Sequence, residues 1–178
     1  MKTIEIEITG VAPLLQCRYP MEENGVEKSK AKKKVYVPSE EAEKKLYKDS
    51  EGNIVHPAEH IFQSIRRAAT DFKFEKRKTF KDVITSGIIV IPDMIPLIID
   101  KSYEIDARPV MIQRSRVLCW RPRFNNWKLK FIIQILDDEN ISVSNLKEIL
   151  EKAGTTRGIG DYRPRFGRFM VTSFQEMK

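Results

Sequence analysis

Hydrophobic and polar residues alternate strictly at the start of the chain, where Ile4, Ile6 and Ile8 are separated by Glu5 and Glu7. A period of two residues predicts a β-strand over 3–9, because successive side chains of a strand point to opposite faces. One face of this strand is therefore expected to be buried, and the other to carry its carboxylates in water.

Two later segments repeat apolar residues every three or four positions, which predicts amphipathic helices. Pro57 suits the first position of the earlier helix. Ser142 is a suitable N-cap for the later helix, which Gly154 is expected to end. The apolar stripes are Ile61, Ile65, Ala68 and Phe72 in the first helix and Val143, Leu146, Ile149, Leu150 and Ala153 in the second.

The remaining apolar segments have the character of strands. Segments 110–121 and 127–136 predict a β-hairpin with a turn between them, and 169–174 predicts a closing strand. Two short apolar runs bounded by prolines, at 87–92 and 95–99, are predicted to be strands or a covering loop.

The predicted order is strand, helix, two hairpin strands, helix, strand. This is the β-α-β-β-α-β order of a ferredoxin-like (RRM-type) α+β fold, a four-stranded antiparallel sheet with two helices on one face. A chain of 178 residues has single-domain size, so we expect one domain over 1–178. Two segments are predicted as additions to this fold: an inserted basic arm at about 17–53, and a strand and loop excursion at about 82–107.

The charge balance narrows the class of partner. The chain has 32 lysines and arginines against 25 acidic residues, a net charge of +7, which favours polyanionic partners. Three consecutive lysines of the inserted arm, Lys32, Lys33 and Lys34, either contact such a polyanion or form a solvated loop.

Cysteines and apolar runs indicate the compartment. Cys17 and Cys119 lie far apart and outside any C-x-x-C pair, so zinc-ribbon and thioredoxin-like sites are excluded and reduced thiols are expected. We find no apolar signal segment at the start and no run long enough to cross a bilayer. A cytoplasmic protein with no membrane partner and no cofactor is expected.

One short string has the spacing of a metal site. Residues 56–60 match the H-x-x-E-H pattern of inverted zinc peptidases, with His56 and His60 as the histidines. Zinc binding would need both on one helical face, yet Pro57 places His56 before the helix, and no downstream acidic ligand is evident. We therefore expect no metal.

A glycine- and arginine-rich loop follows the second helix. Glycine allows a backbone to approach a ligand closely, arginine offers a planar fork for phosphate, and aromatic rings offer faces for bases. The alternative is a helix cap, a long turn and a solvated basic surface. The candidate contacts of this loop are Arg157, Gly158, Gly160, Tyr162, Arg163, Arg165, Phe166 and Arg168.

Further candidates lie on the first helix and near the predicted hairpin turn. Two arginines of the helix fall off its apolar stripe and should be exposed, and two aromatic residues near the turn are candidates for base stacking. The alternative for the hairpin tip is packing on a neighbouring subunit. These candidates are Arg66 and Arg67 on the helix and Arg121, Arg123, Phe124 and Trp127 near the turn.

The element order and two local segments resemble the RAMP superfamily of CRISPR systems. The segments are 54–69, with its proline-opened helix and basic end, and the glycine-rich loop at 158–169. Members of this superfamily include guide-RNA-binding backbone subunits and RNA-processing endoribonucleases. The resemblance implies a single-stranded nucleic acid as partner and either a homo-oligomer or a subunit of a ribonucleoprotein. The chain departs from the pattern in having one domain, and in placing Glu5 and Glu7 where RNA-recognition sheets show aromatic rings.

Three functions remain open from the sequence. The first is a non-enzymatic protein that binds and coats single-stranded RNA or DNA through its phosphate backbone. It would act as a CRISPR-type RAMP subunit or as a stand-alone viral or mobile-element binder. The alternative is a metal-independent endoribonuclease with His56 or His60 as general base. The third is a purely structural assembly subunit. Some RAMP backbone subunits cleave RNA with an aspartate in the region of Asp49, but the run at 49–53 favours a turn.

Overall fold

The protein is described by a computed structural model that covers residues 1–19, 36–112 and 114–177. The predicted lysine contacts Lys32, Lys33 and Lys34 lie outside the described residues. The strands are β1 (Lys2–Gly10), β2 (Leu14–Leu15), β3 (Val55–Pro57), β4 (Lys73–Glu75), β5 (Lys78–Thr79), β6 (Ile88–Ile91), β7 (Met94–Ile99), β8 (Glu104–Ile112), β9 (Ser115–Phe124), β10 (Trp127–Ile135) and β11 (Phe169–Met177). The helices are α1 (Pro38–Glu43), α2 (Ala58–Ala68), α3 (Phe80–Gly87) and α4 (Val143–Thr156), with a short 3-10 turn at Ala69–Asp71.

The main sheet is antiparallel, with the order β11-β1-β10-β7-β3, and β6 also pairs with β10. Strand β10 therefore has β1 along one edge and β6 and β7 along the other. The predicted α+β class with an antiparallel sheet is confirmed. The arrangement is consistent with a ferredoxin-like fold.

The predicted hairpin between 110–121 and 127–136 is wrong. Strand β9 pairs with β8 and β2 in a separate three-stranded sheet and makes no ladder with β10. A strand has only two edges, and both edges of β10 are occupied. The strands beside it come partly from 88–99, a segment within the predicted excursion that supplies β6 and β7 to the main sheet.

The alternation in β1 has the consequence that the sequence predicts. Ile4, Ile6 and Ile8 are fully buried, and they share one apolar core with the inward side chains of β10 and the stripes of α2 and α4. On the opposite face the strands are joined by ion pairs, Glu5 with Lys130 at 3.0 Å and Glu7 with Lys128 at 3.8 Å. The open face of the sheet at these two strands is therefore polar and lacks aromatic platforms.

The described part of the predicted inserted arm is anchored to the second sheet. The ammonium group of Lys45, just beyond α1, donates hydrogen bonds of 2.8 Å to Cys119 Sγ and to the carbonyl oxygen of Trp120. Tyr36 lies beside the half-buried Trp120, with ring centroids 6.4 Å apart. Residues 36–45 thus pack on β9 instead of standing off the structure.

Helix α4 begins as predicted but ends later. Ser142 Oγ accepts a hydrogen bond of 3.1 Å from the backbone N–H of Asn145, which makes it the N-cap. Gly154 lies inside the helix and packs against Phe169, so it does not end α4. That role belongs to Gly158, which has φ +66° and donates its N–H to the carbonyl oxygen of Ala153 at 2.9 Å.

Candidate nucleic-acid interface

The glycines of the arginine-rich loop serve close contacts within the chain. Gly167 has φ +71°, its N–H donates to Pro13 O at 2.8 Å, and its own oxygen accepts from Ile159 N–H at 2.9 Å. A Cβ at Gly160 would collide with the backbone of Leu15. Gly158 is buried against the backbone of Phe166 and Gly167 within the loop region, and Gly160 is half-buried against β2. The sequence suggested that both glycines present backbone to a ligand, but in the structure they face other parts of the chain.

The aromatic rings of the loop are covered by arginines of the same chain. The guanidinium of Arg108 lies 4.7 Å from the ring centroid of Phe166 and 5.5 Å from that of Tyr162, while Arg121 lies 5.4 Å from the Tyr162 ring. Phe166 is 6% exposed, so the prediction that it stacks on a base is wrong for this conformation. Tyr162 remains 41% exposed, but two cations already stack beside its ring.

The candidates near the predicted hairpin turn are mostly internal. Phe124 and Trp127 are each 2% exposed, and the indole N–H of Trp127 donates to the carbonyl oxygen of Ala12 at 2.9 Å. Both stacking predictions are therefore wrong, because the rings belong to the core between the two sheets. Arg121 is buried and forms an ion pair with Asp161, although this contact lacks hydrogen-bond geometry.

Three further predicted contacts, all arginines, are at least partly exposed. Arg123 Nε donates to Asn125 Oδ1 at 2.9 Å, beside Glu104, which makes its surroundings polar and not uniformly basic. Arg165 and Arg168 are exposed, and neither lines the groove described next.

Basic side chains from four parts of the sequence converge on one open groove of about 530 Å³. The end of α2 supplies two of them, α3 and α4 one each, and the loop the fifth. We call this site the basic groove. It is lined by Arg66, Arg67, Thr70, Lys81, Thr156, Arg157, Arg163 and Pro164. The structure thus brings together Arg66, Arg67, Arg157 and Arg163 from the two separate stretches that the sequence analysis selected.

One cation of the groove has an anionic partner. Arg157 Nη2 donates to both carboxylate oxygens of Asp71, at 2.8 and 2.9 Å, while its Nε is buried without a hydrogen-bond partner among the described residues. Arg66 is held by neutral groups, with Nε 3.0 Å from Thr85 Oγ1 and Nη1 3.3 Å from Gln63 Oε1.

The surroundings of Arg163 lower its pKa. Burial lowers the pKa of its guanidinium, the charge of Arg67 lowers it further, and Asp161 offsets part of this effect. An arginine side chain nevertheless stays charged at any physiological pH. Within the described part of the chain, Arg66, Arg67, Lys81 and Arg163 form no ion pair with a carboxylate. Arg66, Lys81 and Arg163 are half-buried, and like charges partly removed from water are costly without a counter-charge. This groove is therefore suited to an anion.

The two histidines face each other, and the charge of Arg163 acts on both. Nδ1 of His60 is 3.3 Å from Nε2 of His56, and Tyr47 packs edge-on against the His60 ring, with centroids 5.6 Å apart. Burial lowers the pKa of His56 well below its ordinary value, and His60 and Arg163 add to this; burial and then Arg163 also lower the pKa of His60. Both are neutral near pH 7, and His56 is 0% exposed, which removes it from contact with a bound strand.

The geometry also bears on the other chemistries considered from the sequence. Among the described residues, no group of three or more His, Cys, Asp or Glu side chains comes together as a metal site. Asp49 accepts backbone hydrogen bonds from Glu51 and Asn53, at 2.9 and 2.8 Å, which is the turn role that its surroundings favour. No helix in the part of the chain that the structure describes is long and apolar enough to cross a membrane.

Sequence reasoning missed several residues of this region. Lys81 belongs to a basic stretch at 73–81 that offered a signal, but nothing local distinguishes it from its neighbours. Asp71 gave no signal, because its partner Arg157 lies 86 positions away. Arg108 falls in a segment without a recognisable motif, although it covers the aromatic rings of the loop.

Comparison with known proteins supports a fold and no family. No protein-family model matches the sequence, and no curated protein sequence matches it. Among solved structures, the fold is similar to a chain from the cryo-EM structure of the type III-B Cmr-β bound to cognate target RNA. The TM-score is 0.59 and the sequence identity 8%, over 99% of this chain and 61% of that chain. The chain thus spans less than two thirds of the length of its structural neighbour, and the similarity shows a shared fold.

Proposed function

We propose that this protein is a non-enzymatic binder of single-stranded nucleic acid, RNA in the first instance, which it holds by phosphate groups in the basic groove. The observation that carries the proposal is the groove itself, where Arg66, Arg67, Lys81 and Arg163 converge without a carboxylate partner among the described residues. RNA is favoured over DNA because the structural neighbour with the similar fold is bound to RNA.

The lining of the basic groove favours the backbone over the bases. Guanidinium groups match the oxygens of a phosphate with paired hydrogen bonds, which are among the strongest in proteins. The groove has no aromatic ring in its lining, and the rings of the adjacent loop are covered by Arg108 and Arg121. Binding is therefore expected to depend weakly on sequence and steeply on salt.

The assembly follows from the same proposal. We propose that the protein acts as a subunit of a ribonucleoprotein, either with other proteins of RAMP-like fold or as repeated copies along one strand. The structural neighbour belongs to an RNA-bound complex, which supports this role. An endoribonuclease that uses His56 as general base is not proposed, because this side chain is fully buried.

The test is fluorescence anisotropy with end-labelled single-stranded RNA, single-stranded DNA of the same sequence and duplex DNA over a salt series. If four unpaired cations contact phosphates, the slope of log K against log salt is about −2.8 for a single strand. Arg67→Gln combined with Arg163→Gln should reduce the magnitude of this slope by about 1.4 and weaken RNA binding roughly tenfold or more.

A matched control removes the same charge elsewhere. Lys128→Gln combined with Lys130→Gln takes two positive charges from the polar face of the sheet, where each lysine is paired with a glutamate. This variant should keep the wild-type slope. Equal loss of binding in the two double variants would show that net charge and not the groove drives association. Absence of binding to any strand at low salt would refute the proposal.

A further inference from the structure

The size of the basic groove limits how much of a strand it can hold. Its volume of about 530 Å³ falls within the roughly 300–1,000 Å³ of small-molecule sites. A volume of this order suits a ligand the size of about one nucleotide with its phosphates.

The charge of the groove exceeds what one internal nucleotide can neutralise. Five cationic side chains line it, and the Asp71 carboxylate offsets one of them at Arg157, so about four positive charges remain. An internal nucleotide brings a single negative charge on its phosphodiester. A terminal phosphate brings about −1.5 to −2, and a terminal triphosphate more.

The hydrogen-bonding groups in the groove point to the same class of ligand. Arg157 lines the groove and holds both oxygens of Asp71 through Nη2 alone. Arg163 lines the same groove, is half-buried, and has no carboxylate bound to it in the part of the chain that the structure describes. Two guanidinium forks from different parts of the chain suit an anion with several oxygens, as a terminal phosphate or polyphosphate has.

We infer that the basic groove binds a terminal phosphate group, a phosphomonoester or a triphosphate, carried by a strand end or by a free nucleotide. This inference rests on the proposed function, since the same groove holds the nucleic acid.

The experiment compares RNAs of one sequence that carry a 5′-hydroxyl, a 5′-monophosphate or a 5′-triphosphate, with magnesium absent. A 5′-hydroxyl RNA lengthened until its total charge equals that of the triphosphate RNA serves as the charge-matched control. The triphosphate RNA should bind roughly tenfold tighter than this control. The gain should disappear in Arg157→Gln combined with Arg163→Gln and persist in Lys128→Gln combined with Lys130→Gln.

Competition identifies the source of the phosphate. Displacement of the triphosphate RNA by a free nucleoside triphosphate at similar concentration assigns the groove to nucleotides, and failure to displace it assigns the groove to strand ends. Equal affinity of the triphosphate RNA and its charge-matched control would overturn the inference while leaving the proposed function in place. If none of the RNAs binds, the proposed function itself fails, and the inference fails with it.

Discussion

Gly167 offers a sharp test of how the arginine-rich loop is held. A Cβ at Gly167 would overlap the carbonyl oxygen of Ile159, and φ at this residue is +71°. Gly52 makes a matched control, since its φ is +88° and a Cβ there would meet no atom within 4 Å. Gly52→Ala therefore suffers backbone strain alone, whereas Gly167→Ala suffers strain and a collision.

The structure sets the size of the difference. An L-residue in this backbone region costs about 1–2 kcal/mol, and this cost is common to both variants. The collision at Gly167 also disturbs two hydrogen bonds, from Ile159 N–H to Gly167 O and from Gly167 N–H to Pro13 O. Each contributes about 0.5–1.5 kcal/mol net. Gly167→Ala should thus lower the free energy of unfolding by about 1–3 kcal/mol more than Gly52→Ala does.

Urea unfolding monitored by circular dichroism measures this difference, and RNA anisotropy measures its consequence for the groove. The loop that Gly167 closes also carries Arg163, so Gly167→Ala should weaken RNA binding while Gly52→Ala should not. Equal destabilisation by the two variants would refute the steric argument. Greater destabilisation by Gly167→Ala with unchanged affinity would show that the loop does not position the groove.

Two further predictions use other contacts of the groove. Asp71→Asn releases Arg157 and should tighten RNA binding by up to about fivefold, the value of an exposed ion pair. Glu139→Gln, an equal change of charge beyond the other end of α4, should leave RNA binding unchanged. Equal gains in the two variants would contradict the idea that Asp71 competes with the ligand. The lowered pKa of His56 predicts a pH effect on the free energy of unfolding. An unfolded histidine gains a proton near pH 6.5, whereas the folded His56 stays neutral to a lower pH. The free energy of unfolding is therefore at its full value above about pH 6.5 and falls with decreasing pH, by at most about 1.4 kcal/mol per pH unit. Urea titrations at pH 7 and pH 5 should show a smaller fall for His56→Leu than for wild type, and an identical fall would be evidence against this origin.

Much of the fold could be predicted from local patterns. The alternation of β1, the stripe of α4 and the N-cap Ser142 appear in the structure as the sequence indicates. The stripe of α2 appears for Ile61, Ile65 and Ala68, whereas Pro57 precedes the helix and Phe72 lies beyond it. These features follow from how one strand or one helix meets water, and the sequence records that periodicity directly. The existence of an extended, apolar β10 was evident for the same reason.

The partners of those elements could not be predicted in the same way. The sequence places 110–121 next to β10, yet the structure gives the edges of β10 to β1, β6 and β7. Strand pairing depends on which apolar faces can share a core, and that competition involves segments distant in the chain. The same competition buried Phe124 and Trp127, which local sequence suggested as exposed rings.

The candidate site shows the same division. The sequence alone determined that the chain is basic, that it has arginines at the end of α2 and in the loop after α4, and that glycines shape that loop. Only the tertiary structure decided which arginines are free, because Arg121 meets Asp161, Arg157 meets Asp71, and Arg163 meets no carboxylate among the described residues. The side chains are chemically identical, and charge neutralisation depends on distances of a few ångströms between residues that only folding brings together.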